Sequence, residues 1–258
     1  MPRSTWSLGN KIRRCGPLTL HEALRAGQFA GHAWRCRGPE TLREAFLARS
    51  LALSDAIAGG LRAATKVGTT SKGTPFRIDA LPAGQPALVW IDEVRLSEED
   101  ARDILRSAAQ CVADLHAGGI VHGALSLESL FLDNVEGKWR ATLWRPAPVL
   151  TGFTPLPSPP GFHRTIDIEE DVFGLGYCIA SMLLGRPIPR RAPTWLDDRP
   201  GPVVELGPLI SDPTLSLVLH RLIDRSPQRR LSAAAVLETL GYLDHAPPAR
   251  VAPLELIS

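Results

Sequence analysis

Residues 115–133 read LHAGGIVHGALSLESLFLD. Apolar residues return through this stretch at Leu115, Ile120, Val121, Leu125, Leu130 and Leu132, with glycines and serines between them. Just upstream, Ser97 can cap a helix, and Asp100 stands three residues on, the spacing of a capping box. Ala101, Ile104, Leu105, Ala108, Val112 and Leu115 then recur at helical spacing, which keeps one face apolar for about four turns. Downstream, TGFTPLPSPPG (151–161) carries four prolines. That excludes helix interior and central strand. The stretch DVFGLGYCIASMLLG (171–185) is apolar on nearly every side, the pattern of a helix buried in a domain centre.

Toward the N-terminus, residues 1–17 read as a loose basic lead-in. Residues 18–38 hold one or two short strands, with FAGHAWRC the best candidate. A helix is expected over 39–56, where Pro39 suits the first turn and Leu42, Phe46 and Leu53 lie on one side. Residues 57–75, rich in Gly, Thr and Ser, read as loop. PFRID and ALVWID then suggest two strands, the second a short apolar run from Ala87 to Ile91. Val94, Arg95 and Leu96 lead straight from it to Ser97. Short helices follow over 208–243, and the last residues, from His245, form a loose extension. The expected order is therefore a basic lead-in (1–17), a small strand-rich part (18–93), a larger helical part (94–245) and a tail (246–258), without internal repeats.

The 258 residues suffice for one bilobal domain with a full core. A formal net charge of +2 gives no push toward nucleic acid or an acidic membrane surface. Of 29 basic residues only Lys11, Lys66, Lys72 and Lys138 are lysines, a bias expected of a GC-rich, bacterial genome. Cys15, Cys36, Cys111 and Cys178 lack metal-ligand spacing and read as small apolar residues in a reducing, cytoplasmic compartment. MPRSTWSLGNKIRR lacks the apolar run of a secretory signal, and no uncharged apolar stretch is long enough to span a bilayer.

The 115–133 stretch resembles the catalytic loop of eukaryotic-type protein kinases, L-H-x-x-x-I-V-H-R-D-L-K-P-x-N-I-L-L, without a gap. Ala87–Glu93 resembles the strand running into the hinge between kinase lobes. DVFGLG (171–176) resembles the start of the long central helix, LLGRPIP its end, and PQRRLS (227–232) the P-x-x-R-P-S segment. The resemblance is good over about residues 85–243 and weak over 18–84. It implies an α+β, bilobal fold with a reduced strand-rich N-lobe and a larger helical C-lobe.

The residues of phosphoryl transfer are missing from the aligned positions. Kinase catalysis is positioning and electrostatics: an aspartate for the substrate hydroxyl, an asparagine and a second aspartate for magnesium, and a lysine paired to a helix glutamate. The aspartate position is Ala124, which can neither accept a proton nor bind metal. The loop arginine is replaced by Gly123, the loop lysine by Ser126 and the asparagine by Ser129. Trp144, Arg145 and Pro146 stand where D-F-G is expected, and no carboxylate lies between Gly137 and Asp167. No lysine lies between Lys11 and Lys66; Arg35 or Arg37 stands near the place, and Glu44 is the candidate helix glutamate or an ordinary exposed carboxylate. There is no G-x-G-x-x-G cradle. The usual A-P-E glutamate has no counterpart near Ser158–Gly161.

Scaffold positions are kept. Asp171 aligns with the central-helix aspartate that holds the loop backbone, and His122 with the histidine packed beneath it. His116 is likewise architectural. Arg230 is left to pair with Glu169 or Glu170 or to stay solvated. The resemblance therefore implies a pseudokinase, a regulatory or scaffolding module that binds another protein, without cofactor or metal and with weak or absent ATP binding. The alternative is a phosphotransferase with a rebuilt site drawing on Glu128, Asp133, Asp167 or Glu169. Trp144 is expected to fill the former metal site, and Asp171 to be structural.

Overall fold

Strands come first. The computed structural model describes residues 6–55, 66–144, 146, 167–188, 210–224 and 226–244. Strands β1 (Trp6–Cys15), β2 (Leu18–Arg25) and β3 (Gln28–Cys36) precede helix α1 (Glu40–Asp55), and β4 (Lys66–Thr69) and β5 (Pro75–Ala80) follow it. All pair antiparallel in one sheet of order β1-β2-β3-β5-β4. A two-residue turn, Gly16–Pro17, joins β1 to β2, with Cys15 opposite Leu18.

The two faces of the sheet divide by the alternation of side chains along each strand. On one face Leu18, Leu20, Trp34 and Cys36 pack under Phe46 and Leu42 of α1. On the other, Ala23, Ala33 and Ile78 pack with Trp6 and Phe76. Ser50 Oγ, buried within α1, donates to the Phe46 carbonyl.

The remaining elements form a mainly helical part. A short strand β6 (Gln85–Pro86) leads into α2 (Ala87–Glu93) and α3 (Glu98–Ala117). Strands β7 (Leu130–Val135) and β8 (Lys138–Leu143) form an antiparallel hairpin beside β6. Among the described residues, helices α4 (Ile168–Leu184), α5 (Pro213–Leu222) and α6 (Ala233–Asp244) follow, with a 3₁₀ turn at Pro227–Arg229. Ser97 caps α3 in a full capping box: Asp100 N donates to Ser97 Oγ, and Ser97 N donates to Asp100 Oδ2. Such a cap is worth about 1 kcal/mol. The chain is thus a mixed α+β protein, with an N-terminal antiparallel sheet and helices later. No described helix is long and apolar enough to cross a membrane.

Three expectations are corrected. The basic lead-in is a sheet strand: residues 6–15 are β1, and its largely exposed edge position hides the apolar alternation that identifies inner strands. Lys66–Thr69, expected as loop, is β4 at the opposite edge.

Ala87–Glu93 is helix, not strand. Ala87 and Ile91, four apart, are buried while Leu88 and Val89 are exposed, and Trp90 meets Trp139 of β8 edge-on. A five-residue apolar run fits a buried strand and a short helix equally well, and Pro86 at the cap tips it to helix. Ala87 and Ile91 belong to the large helical core. The tail at 246–258 and the proline-rich 151–161 lie outside the described residues.

Helix α4 is nearly all buried, and its Gly176 lets α5 come close. A Cβ at Gly176 would sit 2.6 Å from Leu222 Cβ and 2.8 Å from Ile223 Cγ2. Gly176→Ala must push the helices apart and is expected to cost about 1–3 kcal/mol. A urea denaturation midpoint equal to that of the parent protein would show that the contact gives way freely.

Candidate functional site

The loop 118–129 hangs from one carboxylate. Asp171, in the first turn of α4, is 1% exposed. Its Oδ2 accepts from His122 N at 2.6 Å, and its Oδ1 from Gly123 N at 2.8 Å. His116 Nε2, from the last turn of α3, lies 3.1 Å from Oδ2. A carboxylate only accepts, so this ring nitrogen carries the proton. Gly123 itself stands at φ +72°, a left-handed conformation that disfavours any side chain. His122 is fully buried, and its Nδ1 accepts from Ala124 N at 3.3 Å.

The serines close the loop. Ser129 Oγ donates to Ala124 O at 2.9 Å and accepts from Ser126 N at 2.8 Å. Its hydroxyl is spent on backbone and is buried. Trp144 N then donates to Ser129 O at 2.8 Å, which sets the end of β8 beside the loop.

Trp144 is 5% exposed and stands between the loop and the sheet. Its indole stacks on His32 of β3, with centroids 4.8 Å apart and planes at 28°, and meets Phe131 of β7 edge-on at 5.2 Å. Arg145 lies outside the described residues. Pro146 O accepts from Arg77 Nη2 at 2.6 Å.

Arg77 and its partner Asp79, both on β5, carry no signal that sequence reading used. Arg77 is fully buried, and its Nε and Nη2 both donate to Asp79 Oδ2, at 3.2 and 2.9 Å. Asp79 lies opposite His32 across the β3–β5 pair, and Glu22 opposite His32 across β2–β3. One row facing Trp144 therefore runs Glu22, His32, Asp79. Arg49 of α1 was also missed. Its Nη2 donates to Val121 O at 2.6 Å and so straps α1 to the loop. Burial, with Arg77 nearby, pulls the Arg49 guanidinium down to about 10, against the opposing pull of Asp171.

The expected phosphate arginines are elsewhere. Arg35 alternates with Trp34 and so faces the far side of the sheet, opposite Phe76, while Arg37 is exposed beyond the end of β3. Glu44 is exposed on α1. Arg230 is not paired with a carboxylate of α4: its Nη1 donates to the backbone carbonyl of Glu169, its Nε to Asp224 O, and its guanidinium lies 4.6 Å over the Phe173 ring. Burial holds its pKa below the ordinary arginine value, against the pull of nearby carboxylates. Of the carboxylates open to a rebuilt site, Asp167 caps α4 by accepting from Glu170 N, Glu128 and Glu169 are exposed, and Asp133 faces Arg140 across the β7–β8 hairpin. Among the described residues no group of three or more His, Cys, Asp or Glu side chains is placed to hold a metal ion. Ser158–Gly161 lies outside the described residues. No protein-family model matches the sequence.

Three variants test this geometry. Asp171→Ala orphans two buried amide donors and is expected to cost about 2–4 kcal/mol; a denaturation shift under about 0.5 kcal/mol would remove Asp171 from its structural role. Asp79→Ala leaves a buried guanidinium without its carboxylate and should cost about 3–5 kcal/mol, whereas the double Arg77→Met/Asp79→Leu should be markedly closer to the parent. The same denaturation series reads both, and a double variant worse than the single would contradict a burial-dominated pair.

Proposed function

We propose that the chain is a degenerate protein-kinase-like domain, with a strand-rich N-lobe and a helical C-lobe, that has given up phosphoryl transfer and works by binding another protein. The order of elements supports the kinase-like part of this reading. A five-stranded antiparallel sheet carries one helix directly after its third strand, the positions from which kinases present the phosphate lysine and its glutamate partner. The gap-free loop held by Asp171 supports it further.

One observation carries the loss of chemistry. Trp144 is buried against His32 at the position aligned with the second magnesium aspartate. A magnesium ion needs oxygen ligands, and an indole supplies none. The two-residue Gly16–Pro17 turn offers no succession of backbone N–H groups for a phosphate, because proline has none. What remains is a rigid scaffold with its surface free to act, and a protein partner is the occupant that such a scaffold serves.

A thermal-shift titration tests this. With a dissociation constant for ATP above about 1 mM, 1 mM nucleotide stabilises the fold by no more than about 0.4 kcal/mol. For a domain of this size that is a rise of about 1–2 °C at most, with or without magnesium. A magnesium-dependent rise of about 5 °C or more would sink the proposal and favour a rebuilt phosphotransferase site.

A further inference from the structure

The far face of the sheet, turned away from α1 and Trp144, is hollowed into a cup of about 170 Å3. Its walls are Trp6 and Leu8 of β1, Phe76 and Ile78 of β5, and its charged groups are Arg35 of β3 and Lys66 of β4. β1 is bulged between Leu8 and Arg13, where its register to β2 shifts twice, and Trp6 packs against the Ala23, Ala33 and Ile78 floor.

The cup is short of anions. No described carboxylate pairs with Arg35 or Lys66. Arg35 Nε is buried with no acceptor, and Thr19 Oγ1, opposite Arg35 on β2, is buried without a partner as well. A buried N–H left unpaired costs about 1–3 kcal/mol, which an incoming oxygen would recover. Burial and the neighbouring Arg37 both hold the Arg35 guanidinium below its ordinary pKa. His21, opposite Ala33 on the same face, is held below its ordinary value first by burial and then by Arg35, with Arg37 and Lys11 adding to the effect. No described carboxylate offsets the positive charge of Arg35 and Lys66.

Size selects the occupant. Sites for whole small molecules run to about 300–1,000 Å3. A cup this small takes one large apolar side chain, the anchor unit of protein recognition. We propose that this cup is the docking site for an extended segment of a partner protein that inserts one aromatic side chain between Trp6, Leu8, Phe76 and Ile78 and sets flanking carboxylates on Arg35 and Lys66. The inference deepens the protein-binding reading and rests on it.

The test uses the full chain labelled with 15N and a capped peptide, Asp-Glu-Phe-Asp-Glu, followed by the backbone amide spectrum. Titration is expected to move the amides of Ser7, Lys66, Thr70 and Ile78. Peptides with the aromatic replaced by alanine, or with all four acids replaced by lysine and arginine, should bind at least about tenfold more weakly. Arg35→Gln and Lys66→Gln should each weaken the parent peptide by about fivefold or more. Lys66 is exposed, so its variant keeps the test valid if Arg35→Gln folds poorly. No shift at these amides at millimolar peptide, equal binding of the charge-reversed peptide, or the same shifts produced by a ten-nucleotide oligouridylate would each overturn the proposal. Magnesium-ATP added to the same sample reads the parent proposal separately: shifts confined to residues 122–129 and the Trp144 indole would sink the pseudokinase reading and leave the result at the cup standing.

Discussion

Everything near the loop depends on a carboxylate that has no water to turn to. Asp171 is buried, so its charge is tolerable only while donors saturate it, and the donors are the backbone amides of His122 and Gly123 and the His116 ring. That requirement fixes three elements at once: the end of α3, the loop and the start of α4. Within the loop, the His122 ring and the Ser129 hydroxyl complete what Asp171 begins. Ala124 adds only a backbone amide to His122 Nδ1 and a carbonyl to Ser129 Oγ.

The same logic explains why the space beside the loop is filled. An unfilled space in a packed interior is costly. Trp144 takes that volume and gains His32 and Phe131 as ring partners. Behind it, Arg77 and Asp79 satisfy each other, and Arg77 also reaches the carbonyl of Pro146, so β5 is tied to the chain following β8. A buried pair of this kind is weak evidence for net stability. It does fix which way the 144–146 segment lies against the sheet.

Local signals in the sequence read true. The Ser97 box and the apolar stripe of α3 are interactions between residues three and four apart, visible in the chain itself. Buried α4 showed in its all-round apolar composition. What misled were elements whose evidence lies elsewhere in the fold. β1 is held by pairing to β2 and looks polar because it is an edge; α2 is a run too short to show a period. Arg77 with Asp79, and Arg49 with Val121, were invisible for different reasons. The first pair reads as ordinary strand alternation until burial is known, and the second joins residues 72 apart. Arg35 is a candidate phosphate ligand only by its place on a strand before the first helix, and the alternation of β3 turns it away from α1 and Trp144.

The Gly16–Pro17 turn has one more consequence. It closes a hairpin whose arms are ten and eight residues long, with no slack between them. Beyond the two register shifts of β1, Trp6, Ser7 and Leu8 still pair with Arg25, Leu24 and Ala23 of β2. The β1 wall of the far-face cup is therefore set before anything arrives. A segment docking there would lose its own freedom, but the protein would lose almost none, and the entropic cost of association falls on one side only.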